Sequence, residues 1–335
     1  MRPRESAPAA TSSGVAVDSR GRRTARPQRA RWRPFDKLRT APGGGWAVPS
    51  RVEGRLLDTG PGAGDWNMAL DQALVDENRA GNTAPILRFY SWGAPTLSFG
   101  RTQQPPGDLL RRCAELGVMA VRRPTGGKAI FHHHEVTFSI IAPARALGSV
   151  MESYRTFARA IAAGLARLGV QAALCEPRPG QRRAGLLCFA APAECDLQVG
   201  GRKLLGSAQA RSGAMLLQQN SLPLVLSHDL KKRLLGMAAA DEEGRVATDL
   251  TSALACPEPA RPGLACRELT CPELACPELV EGVEGAERGR QPSFAEVRDA
   301  IISGFESELG VTFEPSDLAP AESGAAEKLR SAFRL

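Results

Sequence analysis

The sequence lacks any long hydrophobic run, and no apolar stretch approaches the ~18 residues that a membrane-spanning helix requires. Hydrophobic residues make up 43% and charged residues 24% of the 335 positions, which is typical of a globular protein. These observations exclude an integral membrane protein, and we expect no membrane partner.

Cysteine is too scarce for a scaffold held together by disulfides, because the 335 residues include only eight. No hydrophobic core of a signal peptide precedes them. We therefore expect a reducing, cytoplasmic setting, in which a special cysteine serves catalysis rather than cross-linking.

Basic residues outnumber acidic ones by seven, but the excess lies in one segment of the chain. Residues 1–50 hold 11 Lys and Arg against three Asp and Glu, whereas the remaining residues hold 32 against 33. We expect this Arg- and Pro-rich segment to be a disordered basic extension, or to precede the true start of translation. We expect no nucleic-acid partner, and deletion of residues 1–50 should leave activity unchanged.

A second unusual segment covers residues 252–292, where variants of the pentad Ala-Cys-Pro-Glu-Leu recur. Proline in three of the copies prevents a continuous helix. The cysteines from Cys256 to Cys276 are separated by ten, five and five residues, unlike the paired cysteines of structural zinc sites. We interpret the segment as a flexible low-complexity insertion without a metal.

Between these segments, residues 51–251 show the mixed periodicity of an α/β catalytic domain. Apolar positions at helical spacing predict helices over 65–79, 108–116 and 154–168. Short runs bounded by Gly and Pro predict strands over 86–90, 96–99, 118–121, 136–142 and 214–218. Gly200-Gly201 is typical of a hairpin turn. Residues 293–335 add a helix over 294–309, which we expect to pack on the catalytic domain, and a tail.

The most informative stretch runs from Arg122 to Glu135 and places a Gly-Gly turn between two predicted strands. Gly126 and Gly127 let the backbone approach a ligand closely and expose its N–H groups. Arginine and lysine beside the turn supply charge for a carboxylate or a phosphate. An ordinary hairpin with a solvated basic rim is the alternative.

Three consecutive histidines followed by Glu135 invite a metal interpretation. Side chains of consecutive strand residues alternate between faces, so only His132 and His134 converge. Two converging histidines make a weak metal motif, and we expect no metal. We expect His132 instead to hydrogen-bond within the site or to pack.

A second cluster pairs a cysteine with a lysine across the predicted hairpin. Cys188 lies on a loop before it, and Lys203 lies just beyond its turn, 15 residues later. The hairpin can fold the amine back toward the thiol, where an ammonium favours the reactive thiolate. The alternative is a buried structural cysteine and a surface lysine.

Together these stretches resemble the biotin/lipoate protein ligase superfamily and are most similar to its cysteine-dependent octanoyltransferases of the LipM type. The resemblance covers residues 55–251 and 293–315. The segments that carry it are residues 66–71, 87–90, 122–127, 132, 135–139, 201–203 and 206–209. The choice within the superfamily depends on Cys188, on Pro-Thr before the Gly pair, and on Gly-Ser-Ala-Gln.

The resemblance implies an α/β (α+β) fold of the class II biotin/lipoyl ligase type, with a central mixed, largely antiparallel sheet flanked by helices. It implies transfer of an octanoyl group from acyl carrier protein to a lysine of a lipoyl domain, such as the glycine-cleavage H protein, in lipoate biosynthesis. The acyl group would pass through a thioester on Cys188, and no cofactor would be needed.

The resemblance also assigns roles to residues. It assigns catalysis to Cys188 and Lys203. It assigns substrate binding to residues from four segments, namely Arg88, Arg123, Gly126, Gly127, Lys128, His132, Gly206, Ser207 and Ala208. Lys128 departs from the small residue or arginine of the family and keeps the charge without the planar fork. Cys195 replaces a family aromatic, but we prefer Cys188 as nucleophile because Cys195 leads directly into a strand.

Two other hypotheses stay open. An ATP-dependent lipoate–protein ligase would activate free lipoate with ATP and Mg and would not need Cys188. A degenerate, non-catalytic protein that binds acyl groups or their carrier would form no covalent adduct.

Overall fold

The computed structural model describes residues 52–79, 84–175, 188–189, 196–226, 229–255 and 290–335, without the side chain of Glu242. The predicted basic extension, nearly all of the repeat insertion with its cysteines, and Cys195 lie outside the described residues. No helix within these ranges is long and apolar enough to cross a membrane.

The strands follow the chain in the order β1 (Val52–Gly62), β2 (Ile86–Trp92), β3 (Thr96–Phe99), β4 (Met119–Arg122), β5 (Ile130–His132), β6 (Glu135–Pro143), β7 (Ala173–Leu174), β8 (Leu197–Val199), β9 (Arg202–Lys203), β10 (Gly206–Ser212), β11 (Met215–Pro223) and β12 (Val311–Pro315). The α-helices are α1 (Gly64–Arg79), α2 (Gly107–Glu115), α3 (Val150–Arg167), α4 (Asp229–Leu235), α5 (Met237–Val246), α6 (Leu250–Ala255), α7 (Phe294–Leu309) and α8 (Pro320–Leu329). Short 3-10 helices cover Ala144–Ala146 and Arg330–Phe333.

A six-stranded sheet in the order β10-β11-β6-β2-β1-β12 forms the centre of the fold. β1 runs parallel to β2 and β12, whereas β2–β6, β6–β11 and β10–β11 are antiparallel. Every residue of β6 and of β11 is buried, because helices cover both faces of the sheet. The mixed, largely antiparallel sheet flanked by helices, expected from the resemblance, is therefore present.

Helices α3 and α7 cover one face of the sheet, and α1 and α8 cover the other. Phe138 of β6 packs with Phe305 of α7 in the first layer, while Leu74 of α1 packs with Ala326 of α8 in the second. The stripe predicted over 294–309 forms α7 with those bounds, started by a Ser293–Glu296 capping box.

The residues after α7, expected from the sequence only as a tail, form a strand and a helix. β12 adds a strand to the sheet edge beside β1, and α8 packs on α1. Asp65, in the first turn of α1, pairs with Arg330 at 3.0 Å and with Arg334 at 2.9 Å. The C-terminal residues are thus fixed to the catalytic domain through β1 and through α1.

Two small sheets flank the main one and carry the sequence motifs. In the first, β3 lies between β4 and β5 and supports the loop that contains Gly126 and Gly127. The second orders β7-β8-β9 and carries Lys203. The predicted hairpin turn is confirmed, since Gly200 and Gly201 adopt φ of 56° and 76°, which glycine tolerates best.

α3 and α7 approach each other at two glycines. A methyl group on Gly164 would lie 2.7 Å from the carbonyl oxygen of Ala300. A methyl group on Gly304 would overlap the carbonyl oxygen of Ala160. The two helix backbones are therefore in direct contact, which only glycine permits at these positions.

We expect Gly304→Ala to lower the free energy of unfolding by about 1–3 kcal/mol, because the added methyl group forces the two helices apart. Urea unfolding measures the change. Gly324→Ala is the matched control, since Gly324 is exposed in α8 with nothing within 4 Å of an added Cβ. The control should gain about 0.5–1 kcal/mol. Equal effects of the two substitutions would contradict the close helix contact.

Candidate active site

A cysteine, a lysine and an aspartate converge where the β8–β9 hairpin meets the start of β5. The Lys203 ammonium donates to the Cys188 sulfur at 3.6 Å and to its carbonyl oxygen at 3.1 Å. The same ammonium lies 2.8 Å from Oδ2 of Asp196. The cysteine–lysine contact expected from the hairpin is therefore present, and Asp196 joins it as a partner that the sequence did not indicate.

The Lys203 side chain is only 2% exposed. Burial lowers the pKa of Lys203, but the negative charges of Cys188 and Asp196 outweigh this effect and raise it above its usual value. The ammonium also lies 5.2 Å from the centre of the Phe189 ring, within the range of a cation–π contact. Lys203 is therefore a buried cation rather than a surface lysine.

Cys188 is half-buried and its main chain is fixed to the strand beside it. Its amide donates to the carbonyl oxygen of Ala129 at 2.9 Å, and its side chain packs with Ile130 and Phe189. A partly exposed sulfur next to a cation is the environment of reactive cysteines. Cys113, by contrast, is buried in the core, which raises its pKa to about 11 and keeps it a thiol.

Arg123 holds the Gly-Gly loop from inside. Its guanidinium donates to the carbonyl oxygens of Gly126 at 2.7 Å and Lys128 at 2.7 Å, and to that of Ser98 at 3.2 Å. Gly127 adopts φ of 91°, and a methyl group there would lie 2.8 Å from the guanidinium. The Arg123 guanidinium thus holds the loop through its carbonyl oxygens, one of which belongs to Lys128.

Arg123 and Tyr154 lie within electrostatic range of Cys188. Burial lowers the pKa of Arg123, and the charge of Cys188 offsets part of that change. Burial raises the pKa of Tyr154 to about 12, and the charges of Asp196 and Cys188 contribute. At neutral pH Cys188 therefore has the Arg123 cation near it and an uncharged Tyr154 phenol.

Gly100, at the end of β3, allows the same loop to pack closely. A methyl group there would overlap the carbonyl oxygen of Gly127. The amide of Arg101 also donates to the carbonyl oxygen of Thr125 at 2.8 Å. Sequence reasoning missed Gly100, although its position directly after a predicted strand was a usable signal.

His132 lies in a buried polar chain rather than with the neighbouring histidines. Its Nδ1 is 2.8 Å from Oε1 of Glu135, and its Nε2 is 2.7 Å from Oγ of Ser98. Because a carboxylate only accepts, Nδ1 carries the proton. The ring also stacks on Trp92, with 4.0 Å between centroids. Within the described ranges, no three His, Cys, Asp or Glu side chains group as metal ligands.

Glu135 is ionised in this environment. Burial alone would raise its pKa, but His132 and hydrogen bonds from Thr137 and Ser221 lower it below the usual value. The Trp92 indole donates to the same carboxylate at 3.0 Å. Glu135 therefore fixes the orientation of the His132 ring.

Arg88 lies behind the site and not on its wall, in contrast to the position that the resemblance implied. Its guanidinium is fully buried and pairs with Asp71 at 2.7 Å. Asp71 also accepts from Gln219 at 2.7 Å, and Gln219 accepts from Thr125 at 2.6 Å. The Arg88 donors are occupied, so Arg88 supports the Gly-Gly loop through this chain of hydrogen bonds.

A cavity opens between the main sheet and the small sheet formed by β4, β3 and β5. Its lining includes Ile130 and Gly206, both of which approach Phe189, and Cys188 packs against the cluster that contains Ile130 and Phe189. Three other apolar lining residues pack in a separate cluster, namely Met68, Tyr90 and Trp92. The polar wall consists of Ser98, Arg123, His132, Thr137, Gln219, Asn220 and Ser221.

The three small residues of β10 occupy different positions around this cavity. Gly206 and Ala208 line it, and an added Cβ on Gly206 would lie 3.0 Å from the Phe189 ring. Ser207 donates to Oδ1 of Asn220 at 2.9 Å, which ties β10 to a lining residue of β11. Because Gly206 has no side chain, the Phe189 ring can pack against β10 beside the cavity.

The fold identifies a class of proteins. The chain superposes on the crystal structure of lipoate-protein ligase A bound with ATP with a TM-score of 0.59, at 23% identity, over 83% of this chain and 94% of that one. The fold is therefore that of the lipoate ligases, as the sequence resemblance implied.

The sequence comparisons define the family. The sequence model of one protein family, the lipoyl protein ligase A/B catalytic domain, matches residues 64–251. The chain belongs to this family. It is 37% identical to octanoyltransferase LipM of Symbiobacterium thermophilum over 82% of this chain and 93% of that protein. It is 35% identical to octanoyltransferase LipM of Moorella thermoacetica over 83% and 94%.

We expect Glu135→Gln to lower the free energy of unfolding at neutral pH by about 1–3 kcal/mol, because the amide leaves buried donors unmatched. The folded pKa of Glu135 lies below the usual value of 4.5, so its stabilising effect is present above that pH and is lost as the pH falls through the folded pKa. The variant should therefore lose less stability than the parent on acidification.

Urea unfolding at neutral pH and at acid pH measures both effects. Glu314→Gln is the control, since Glu314 is exposed at the end of the β12 edge strand. Parallel acid profiles of the parent and of Glu135→Gln would contradict the assignment.

Proposed function

We propose that this protein is an octanoyltransferase of lipoate biosynthesis that carries the acyl group on Cys188. The observation that carries the proposal is the Lys203 ammonium 3.6 Å from the Cys188 sulfur. Cys188 packs against the cluster of Ile130, which lines a cavity that also has apolar lining residues of a second cluster. The proteins that it matches over most of their length are named octanoyltransferase LipM, which supports the same activity.

The first step forms the acyl-enzyme. The Cys188 thiolate attacks the carbonyl carbon of an octanoyl thioester, a new C–S bond forms, and the donor thiolate leaves and takes up a proton. One thioester replaces another, so the step is nearly isoenergetic. The Lys203 ammonium and backbone amides of the Gly126–Lys128 loop stabilise the negative charge that develops on the carbonyl oxygen.

The second step transfers the acyl group to the acceptor. A neutral lysine amine of the acceptor attacks the thioester carbon, a C–N bond forms, and the C–S bond to Cys188 breaks. The proton released by the amine balances the charge of the returning thiolate. Because an amide is more stable than a thioester, this step draws the sequence forward without ATP.

The cavity orients the acyl chain. The thioester lies at the Ile130 and Gly206 end, next to Cys188, and the methyl end extends toward Met68, Tyr90 and Trp92. Each methylene buried in apolar surroundings contributes ~0.8 kcal/mol, so the depth of the cavity selects chain length. Arg123 and His132 hold the loop and the polar wall in place around the chain.

The donor in this proposal is octanoyl acyl carrier protein, and the acceptor is a lipoyl-domain protein such as the glycine-cleavage H protein. No cofactor takes part, because the energy is supplied by the donor thioester. A cytoplasmic, reducing setting fits a mechanism whose nucleophile must stay a thiolate.

The principal alternative is the ATP-dependent lipoate ligase, which does not use Cys188. We expect Cys188→Ala to lower octanoyl transfer by more than about a thousandfold, since it removes the nucleophile. Transfer from octanoyl carrier protein to a lipoyl domain measures this effect. Cys175→Ala, at the end of β7, is the control and should stay near the parent rate.

The same variants decide between the two enzymes. They are incubated with free lipoate, ATP and Mg in place of the octanoyl donor. Lipoylation that persists in Cys188→Ala would overturn the transferase proposal in favour of the ligase.

We expect Met68→Ala to shift the chain-length preference toward decanoyl, because it removes apolar bulk where the methyl end lies. Two further buried methylenes would raise the decanoyl-to-octanoyl ratio of kcat/KM by up to about 15-fold. Met119→Ala is the control, since Met119 packs in the same cluster without lining the cavity. An unchanged ratio in Met68→Ala would contradict the orientation.

A further inference from the structure

Lys203 occupies a position where a neutral amine would be a nucleophile. Its Nζ lies 3.6 Å from the sulfur that carries the octanoyl group in the proposed mechanism. Reacting atoms held about 3–3.5 Å apart in good geometry react readily, so the enzyme risks acylating its own lysine. Only the ammonium form, which has no lone pair, is inert.

Acylation of Cys188 removes one of the negative charges that keep Lys203 protonated. The thiolate becomes a neutral thioester, while the Lys203 side chain stays 2% exposed in a place where burial favours the neutral amine. Arg123 places a further positive charge near Cys188. Tyr154, uncharged at neutral pH, supplies no anion.

The Asp196 carboxylate is not altered by acylation of Cys188. It lies 2.8 Å from Nζ, with its side chain 6% exposed. Its position is fixed at the start of β8, where its carbonyl oxygen accepts from the amide of Cys175 at 2.7 Å. The carboxylate therefore remains beside Lys203 whether Cys188 is free or acylated.

We propose that Asp196 is a positioning residue that keeps Lys203 an ammonium in the acyl-enzyme, so that octanoyl passes to the acceptor lysine and not to Lys203. This inference rests on the proposed acyl-cysteine function.

The reaction that Asp196 prevents is an S-to-N acyl transfer within the enzyme. The neutral Nζ of Lys203 would attack the thioester carbon, a C–N bond would form, and the C–S bond to Cys188 would break. The proton leaving nitrogen would pass to the sulfur. The product is an N-octanoyl lysine with a free thiol, and an amide of this kind does not return to the catalytic cycle.

The test is Asp196→Asn, which keeps the shape of the side chain and removes its charge. Each protein is mixed with octanoyl acyl carrier protein without acceptor and then treated with hydroxylamine, which cleaves thioesters but not amides. Peptide mass spectrometry locates the remaining octanoyl group. We expect the share of octanoyl found on Lys203 to rise at least about tenfold in the variant.

Two controls separate this effect from a general disturbance. Asp249→Asn removes a carboxylate next to Thr248, whose amide donates to the carbonyl oxygen of Lys203, and should behave as the parent. Asp196→Asn combined with Lys203→Arg should give no resistant adduct, because arginine stays protonated. A structural role alone would lower all adducts together and would not move octanoyl from sulfur to nitrogen.

Octanoyl that stays on Cys188 in a folded Asp196→Asn would overturn the inference. If that variant does not fold, the parent acyl-enzyme decides: isolated at neutral pH without acceptor, it should keep its thioester over many turnover times. Migration to Lys203 in the parent would contradict the protective role. A parent that forms no adduct on Cys188 would instead overturn the proposed function.

Discussion

The active site depends on keeping a buried ammonium charged. Lys203 is almost completely removed from water, and such a cation persists only where anions surround it. The hairpin places it between the Cys188 sulfur and the Asp196 carboxylate, and these two charges outweigh the cost of burial. In the proposed mechanism, this one cation favours the thiolate before reaction and faces the carbonyl oxygen during it. Removing one partner from a buried ion pair typically costs about 3–5 kcal/mol, so the arrangement tolerates little change.

A second set of buried charges fixes the conformation of the Gly-Gly loop. The Arg88–Asp71 pair reaches the Gly-Gly loop through Gln219 and Thr125, and Arg123 holds the loop carbonyls from below. Positive φ at Gly127 and the missing side chain of Gly100 make this close packing possible. The loop backbone is therefore held in place before any substrate binds, and the proposed stabilisation of an oxyanion requires such preorganisation.

Local patterns predicted the elements whose signals are local. The α7 stripe, the β3 run and the Gly200-Gly201 turn have the expected bounds, because periodicity and turn chemistry fix them within a few residues. The C-terminal strand and helix were missed. A five-residue strand such as β12 has too short a pattern to be recognised by itself, and it forms by pairing with β1, which is distant in sequence. The same limit explains the site: Cys188 and Lys203 lie only 15 residues apart, whereas Arg88 has partners from other elements of the chain. Asp196 carried no signal beyond its charge.

The most direct test of the account is the location of the acyl group in the parent protein. After reaction with octanoyl acyl carrier protein, the intact mass should increase by about 126 Da, as expected for covalent catalysis. The adduct should be labile to hydroxylamine and should map to the peptide that contains Cys188. An adduct on another residue, or turnover without any adduct, would contradict the acyl-cysteine mechanism.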